Sequence, residues 1–143
     1  MKTITKWLER NVLYSALILV VISTAASLYL SEIRHFPPCS LCWYQRIFMY
    51  PLIAVIAVGI LRKDKGLHHY VLPLSIAGMI VAFYQILLQQ EVLPENFTPC
   101  TLGVSCVTKF EVYFGFITIP LLSFLAFTAI TGLMLFYRKV KKK

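Results

Sequence analysis

The chain has 143 residues, 59% of them hydrophobic and 14% charged, and its mean hydropathy is +0.75. A soluble domain of this length carries far more charge on its surface, so that class is excluded. The net charge of +8 invites a nucleic-acid reading, but the basic residues gather between long uncharged runs, as they do in a membrane protein.

Lys2, Lys6 and Arg10 open the chain, and Asn11–Ser31 then contains no Asp, Glu, Lys or Arg. About 20 apolar residues cross a bilayer core as a helix, with a range of about 17–25, so this run is a first span. Its patch Ser23-Thr24-Ala25-Ala26-Ser27 has the small residues of a signal-peptide cleavage site. The apolar run continues to Leu30 without a break, and we read it as an uncleaved span.

The stretch "FPPCSLCWYQR", Phe36–Arg46, comes next. Pro37-Pro38 favours extended backbone and stops a helix from running in from upstream. A helix starting near Cys39 or Ser40, with Ser40 as N-cap, leads into the second span. The uncharged run Ile47–Leu61 reaches span length only with Leu41–Gln45 and Arg46 included. A basic loop with Arg62, Lys63 and Lys65 follows, and His68-His69 reads as a polar turn.

Tyr70–Gln90 is the third uncharged run. Gln85 and Gln89 stand one turn apart in it beside Tyr84, either lining a polar pocket that faces Arg46 or bonding helices together. The segment "EVLPENFTPCTLGVSCVTKFE" carries turn formers and no sustained helical period. Val112–Tyr137 is the fourth run, and Arg138, Lys139, Lys141, Lys142 and Lys143 close the chain. Pro51, Pro73 and Pro120 mark kinks of the kind bundles tolerate.

Short loops rich in Lys and Arg stay in the cytoplasm. Both termini and Arg62–His69 are therefore expected inside, and Ser31–Arg46 and Glu91–Glu111 outside. Attraction of the basic tail to anionic lipid is a secondary effect. The expected fold is all-α: an integral membrane four-helix bundle, a single transmembrane domain over residues 1–143, with spans at about 11–31, 42–61, 70–90 and 112–137.

All four cysteines, Cys39, Cys42, Cys100 and Cys106, fall in the two expected external segments, the compartment where disulfides persist. Four cysteines allow three pairings; spacing favours Cys39–Cys42 and Cys100–Cys106. A helix N-terminus favours a thiolate at Cys39 or Cys42, and Arg46 lies on the same helical face as Cys42, four residues on. An arginine at a span end also snorkels to the membrane surface without further function. A Cys₄ zinc site is the metal alternative, but the spacing Cys100-x₅-Cys106 is loose for a zinc knuckle and the location is oxidising; no metal is expected. A purely structural role explains the cysteine count, yet a bridge over a four-residue loop stabilises little. His35 reads as a surface residue.

The stretch from Cys39 to Arg46, "CSLCWYQR", together with Cys100 and Cys106, resembles the DsbB/BdbC family of bacterial disulfide-bond formation proteins. The stretches "LYLSEIRHFPPCSLCWYQRIFMYPL" and "YFGFITIPLL" resemble its BdbC branch. The resemblance spans essentially the whole chain. It implies an enzyme, a quinone-dependent protein thiol oxidoreductase in the bacterial cell membrane. Its partners would be a secreted or membrane-anchored thioredoxin-like dithiol oxidase of the DsbA/BdbD kind and the membrane quinone pool, menaquinone for this branch, with no nucleic acid. By position, Cys100 takes the partner in a mixed disulfide and Cys106 exchanges with Cys39. Cys42 stands beside the quinone, and Arg46 stabilises negative charge there. The second pair encloses five residues, far fewer than in the better-known Gram-negative members, which limits how far Cys106 can travel. The vitamin K epoxide reductase homologues are the alternative, but their CxxC belongs to the fourth span.

Overall fold

The computed structural model describes residues 2–35, 37–92, 94, 111–113 and 117–142. Cys100, Cys106 and the segment between them lie outside the described residues. Four helices dominate: α1 (Lys2–Glu32), α2 (Ser40–Leu61), α3 (Leu67–Gln89) and α4 (Ile119–Lys142). Each is long and apolar enough to cross a membrane. The 22 to 24 residues of α2, α3 and α4 correspond to about 33–36 Å of helix, enough for a bilayer core. The architecture is the expected all-α membrane bundle.

Helix starts and stops follow local chemistry. Cys39, extended at φ −72° and ψ 168°, is the N-cap of α2, so the cap falls one residue before the serine the sequence suggests. The first intrahelical bond runs from Trp43 N–H to the Cys39 carbonyl, 3.2 Å. At the other end of α2, Lys63 N–H donates to Ile60 O and Asp64 N–H to Gly59 O, the paired bonds of a Schellman stop. Lys63 takes the left-handed φ of 51° there. α3 stops the same way, with Glu91 at φ 58°. Before α4, the short strands β1 (Glu111–Tyr113) and β2 (Ile117–Thr118) pair antiparallel. The helix therefore begins at Ile119, later than the uncharged run does. Pro120 sits in its first turn and starts the helix rather than kinking it, because no N–H is needed there. Pro51 and Pro73 stand inside continuous helices.

α1 packs against α2 and α4, and α3 against α2 and α4. Sequential helices run antiparallel: Gly59 near the end of α2 meets Leu67 at the start of α3, and Leu41 at the start of α2 packs with Leu88 at the end of α3. The Lys141 ammonium donates to the Lys65 carbonyl, which puts the α2–α3 loop and the end of α4 at one end of the bundle. Cys39 and Cys42 are at the other.

The core is one stripe per helix. Met49, Leu52 and Ile56 of α2, Val71 and Ala82 of α3, and Phe127, Ile130 and Met134 of α4 close it with Ala16 and Val20 of α1. At Gly78 the Phe127 ring occupies the space a Cβ would need, so this glycine lets α3 and α4 approach. Large apolar side chains such as Ile18, Ile47, Ile80, Phe83 and Leu135 point outward. That is the expected surface where hydrocarbon, not water, is the solvent. The buried Ser75 hydroxyl donates to Leu72 O (3.1 Å), and the half-buried Thr131 hydroxyl donates to Phe127 O (2.8 Å) and lies 3.0 Å from Ser75 Oγ across the α3–α4 contact. His68 belongs to the first turn of α3, buried beside the His69 and Tyr137 rings rather than exposed in a turn.

Candidate functional site

Cys42, Gln45, Arg46 and Met49 recur at helical spacing and form one face of α2. Gln85 and Gln89 do the same on α3. The antiparallel packing brings both polar stretches to the cysteine end, where they line a cavity of about 460 Å³. Its remaining walls are chiefly apolar or small and come from α1 and α4, including Leu19, Ile22, Ser27, Leu122 and Ala126, with Pro37 and Pro38 at the α1–α2 turn.

The sulfurs of Cys39 and Cys42 are 3.0 Å apart and unbonded, sharing a hydrogen bond. Small side-chain rotations close such a pair to the roughly 2.05 Å of a disulfide. Cys39 is buried and Cys42 half-buried. The bond shared with Cys42, and then burial, push the Cys39 thiol above its ordinary value. Gln85 Nε2 donates toward both sulfurs, at 3.1 Å to Cys39 and 3.4 Å to Cys42. Its Oε1 in turn accepts from Gln45 Nε2 at 2.7 Å.

Arg46 is 8% exposed, so it does not snorkel to the surface. Its Nε donates to Ser27 Oγ (3.0 Å) and an Nη to the Ser27 carbonyl (2.9 Å), while the guanidinium lies 5.5 Å from the Trp43 ring centroid. A guanidinium carries five N–H donors; two are engaged by Ser27 on a side chain that lines the cavity. A buried cation held by neutral groups is electrostatically suited to an electron-rich or anionic neighbour.

Of the site residues expected from sequence, Cys39, Cys42 and Arg46 come together at one cavity. Cys100 and Cys106 are outside the described residues. Gln85 and Gln89 face the cavity, and Gln85 also bonds α3 to α2 through Gln45, so the pocket and the interhelical bond are both realised. Two residues escaped the sequence reading. Gln45 was legible as a polar side chain next to Arg46 inside a span. Ser27 belongs to the small-residue patch that resembles a cleavage site, and the structure uses that patch to line the cavity and anchor Arg46.

The fold and this dithiol define a multi-pass membrane protein with a cysteine pair built for thiol–disulfide chemistry. Comparison with known proteins makes the class specific. The profile of "Disulfide bond formation protein DsbB" matches residues 9–137. The chain is 46% identical, over 77% of its own length and 74% of the relative's, to the SPbeta prophage-derived disulfide bond formation protein B of Bacillus subtilis (strain 168). It is 42% identical to disulfide bond formation protein C of the same organism, covering 82% and 86% of the two chains. It is also 42% identical to a probable disulfide formation protein of Chlamydia caviae, covering 96% and 98%. No solved structure matches it. The chain belongs to the DsbB family, bacterial membrane proteins that form disulfide bonds and act as thiol oxidoreductases. The alternative with CxxC on the fourth span does not fit a chain whose CxxC opens α2.

Proposed function

We propose that this protein takes two electrons from an extracytoplasmic thioredoxin-like dithiol oxidase and delivers them to a membrane quinone, menaquinone by its resemblance to the BdbC branch. The observation that carries the reading is that Cys42, Arg46 and Gln85 share one cavity with apolar walls. A cavity of about 460 Å³ is in the range of small-molecule sites, which run from about 300 to 1,000 Å³. Its polar groups, Arg46, Gln45 and Gln85, would hold a quinone head, and Leu19, Ile22 and Leu122 its apolar part. When bound, a quinone supplies a two-electron, two-proton acceptor.

The protein's own steps are thiol exchanges. The partner's thiolate attacks Cys100, forming a mixed disulfide and releasing Cys106 as thiolate. Cys106 attacks Cys39 of the Cys39–Cys42 disulfide, and Cys42 leaves as a thiolate beside Arg46. The partner's second thiolate then attacks the partner sulfur bonded to Cys100; the partner leaves as a disulfide and Cys100 as a thiolate. Cys100 attacks Cys106, restoring the Cys100–Cys106 bridge and releasing Cys39. The Cys39–Cys42 dithiol, having given up two electrons and two protons, closes again. Arg46 holds the negative charge at Cys42 throughout, in a site where water does not screen it.

The sidedness follows from charge. Arg62, Lys63 and Lys65 lie at the same end as the basic tail of α4, which supports a cytoplasmic location for that end and an external one for the CxxC. Two measurements test the reading. Reconstituted in lipid with menaquinone and a reduced thioredoxin-like dithiol protein, the chain should consume quinone and dithiol in equal amounts; dithiol oxidation without quinone loss would overturn the quinone assignment. A membrane-impermeant thiol reagent should reach cysteines of intact, reduced cells, and protection of all four until lysis would overturn the topology.

A further inference from the structure

The least expected feature of the site is the pair of amides behind the cysteines. Gln45 is 5% exposed and Gln85 2%, so neither amide has bulk water to satisfy it, and each orientation must be matched by the other. With Gln45 Nε2 donating to Gln85 Oε1 at 2.7 Å, the NH₂ of Gln85 is turned to the sulfurs, and its two N–H groups reach Cys39 and Cys42. Turning Gln85 alone would set two NH₂ groups against each other. In the structure Gln85 Oε1 makes only a long contact to sulfur, 3.9 Å from Cys42 Sγ; turning both amides restores their mutual bond but brings that oxygen to the place Nε2 now holds, 3.1 and 3.4 Å from the two sulfurs. That second arrangement suits a thiol, which donates, and opposes a thiolate, which only accepts.

We propose that Gln45 is a positioning residue: it sets the orientation of the Gln85 amide so that both Gln85 N–H groups face the sulfurs and hold the charge left on Cys42 when the Cys39–Cys42 disulfide opens. This rests on the exchange sequence proposed above. Arg46 and Gln85 then divide the work. Arg46, fixed by Ser27, supplies net positive charge from α2, whereas Gln85 supplies directed N–H donors from α3. Gln45 touches neither sulfur by any hydrogen bond in the structure and acts through Gln85.

The test is the pH profile of Cys42 alkylation in the reduced, full-length protein in lipid, with iodoacetamide as probe and the Cys42 peptide followed by mass spectrometry. Gln85→Met removes the donors and should slow alkylation near neutral pH about tenfold, the effect of one lost charge-assisted hydrogen bond. Gln45→Met keeps the volume but releases the Gln85 amide to sample both orientations, and should slow it about threefold. The double variant should match Gln85→Met alone, because an effect transmitted through Gln85 vanishes with it. Gln45→Leu is the second variant should Gln45→Met fold poorly, and the melting temperature is read alongside. A Gln45 variant that melts earlier but keeps the wild-type pH profile overturns the proposal, as does a double variant slower than Gln85→Met by the full Gln45 factor. The assay contains no quinone, so failure of the quinone assignment leaves its outcome readable.

Discussion

On α2, Leu52 and Ile56 continue the stripe that Gln45 and Arg46 begin, and on α3, Gln85 and Gln89 continue the one that Val71, Ser75 and Gly78 begin. The faces are the same but their fillings differ. Toward the basic end the stripe is closed, with Leu52, Ile56, Val71, Ile130 and Met134 fully buried, and Phe127, held against Gly78 of α3, borders the cavity from this side. Toward the cysteine end it opens into a cavity bordered by buried amides and a buried guanidinium. Helix association in lipid depends on packing and on hydrogen bonds between helices, because hydrocarbon outside is as apolar as the core. The closed half supplies that packing, and it allows the other half to stay hollow around a reactive pair.

Substitutions in the two halves should therefore separate chemistry from cohesion. The largest effect is expected at the reactive sulfur. Cys42→Ser should abolish quinone reduction while the partner still attacks Cys100; conversely Cys106→Ser should trap a covalent complex with the partner, seen on a non-reducing gel and lost on reduction. Unbridged proteins in the second variant would point to a structural bridge instead. Next comes the closed half: Ile56→Ala should lower stability by about 2–5 kcal/mol through the cavity it leaves, measured by denaturation in detergent, with the apparent KM for quinone unchanged in the fraction that remains folded. A raised KM at equal stability would show that the two halves are not separable.

Arg46→Ala returns to the hollow half and should raise the apparent KM for quinone about tenfold or more, the scale of a lost charge-assisted bond, with the KM for the dithiol partner nearly constant. Equal effects on both substrates would reduce Arg46 to a structural part. The smallest change is Ser27→Ala, which removes only the hydroxyl partner of Arg46 Nε and leaves the carbonyl bond. A rise of about two- to threefold in quinone KM is expected, and steady-state kinetics in lipid would detect it. No change at all would mean that the carbonyl alone holds the guanidinium.

The sequence alone was enough for the four helices, because crossing a bilayer requires long uncharged runs and the backbone there has few other ways to satisfy its hydrogen bonds. It also placed Cys39, Cys42 and Arg46 on one side of a helix start, since Pro37-Pro38 blocks helix upstream and the spacing of four is one helical turn. Only the tertiary structure decided what those residues face. Helical periodicity says which side chains share a stripe, not which stripe on another helix lies opposite. Thus the double place of Gln85 in the pocket and between the helices, the bond from Gln45 to it, and the clasp of Ser27 on Arg46 across 19 residues of sequence had no local signal. In the sequence Arg46 also admits a snorkelling reading, which the adjacent CxxC outweighs; burial at 8%, set by the packing of α1 against α2, turns it inward. The start of α4 was likewise beyond pattern reading: residues 112–118 are as uncharged as a span, but a strand pair claims its described part and the helix waits for Ile119. Composition determined the solvent and the elements, while the pairing of helix faces, a matter of shape and mutual hydrogen bonding between segments distant in sequence, determined the site.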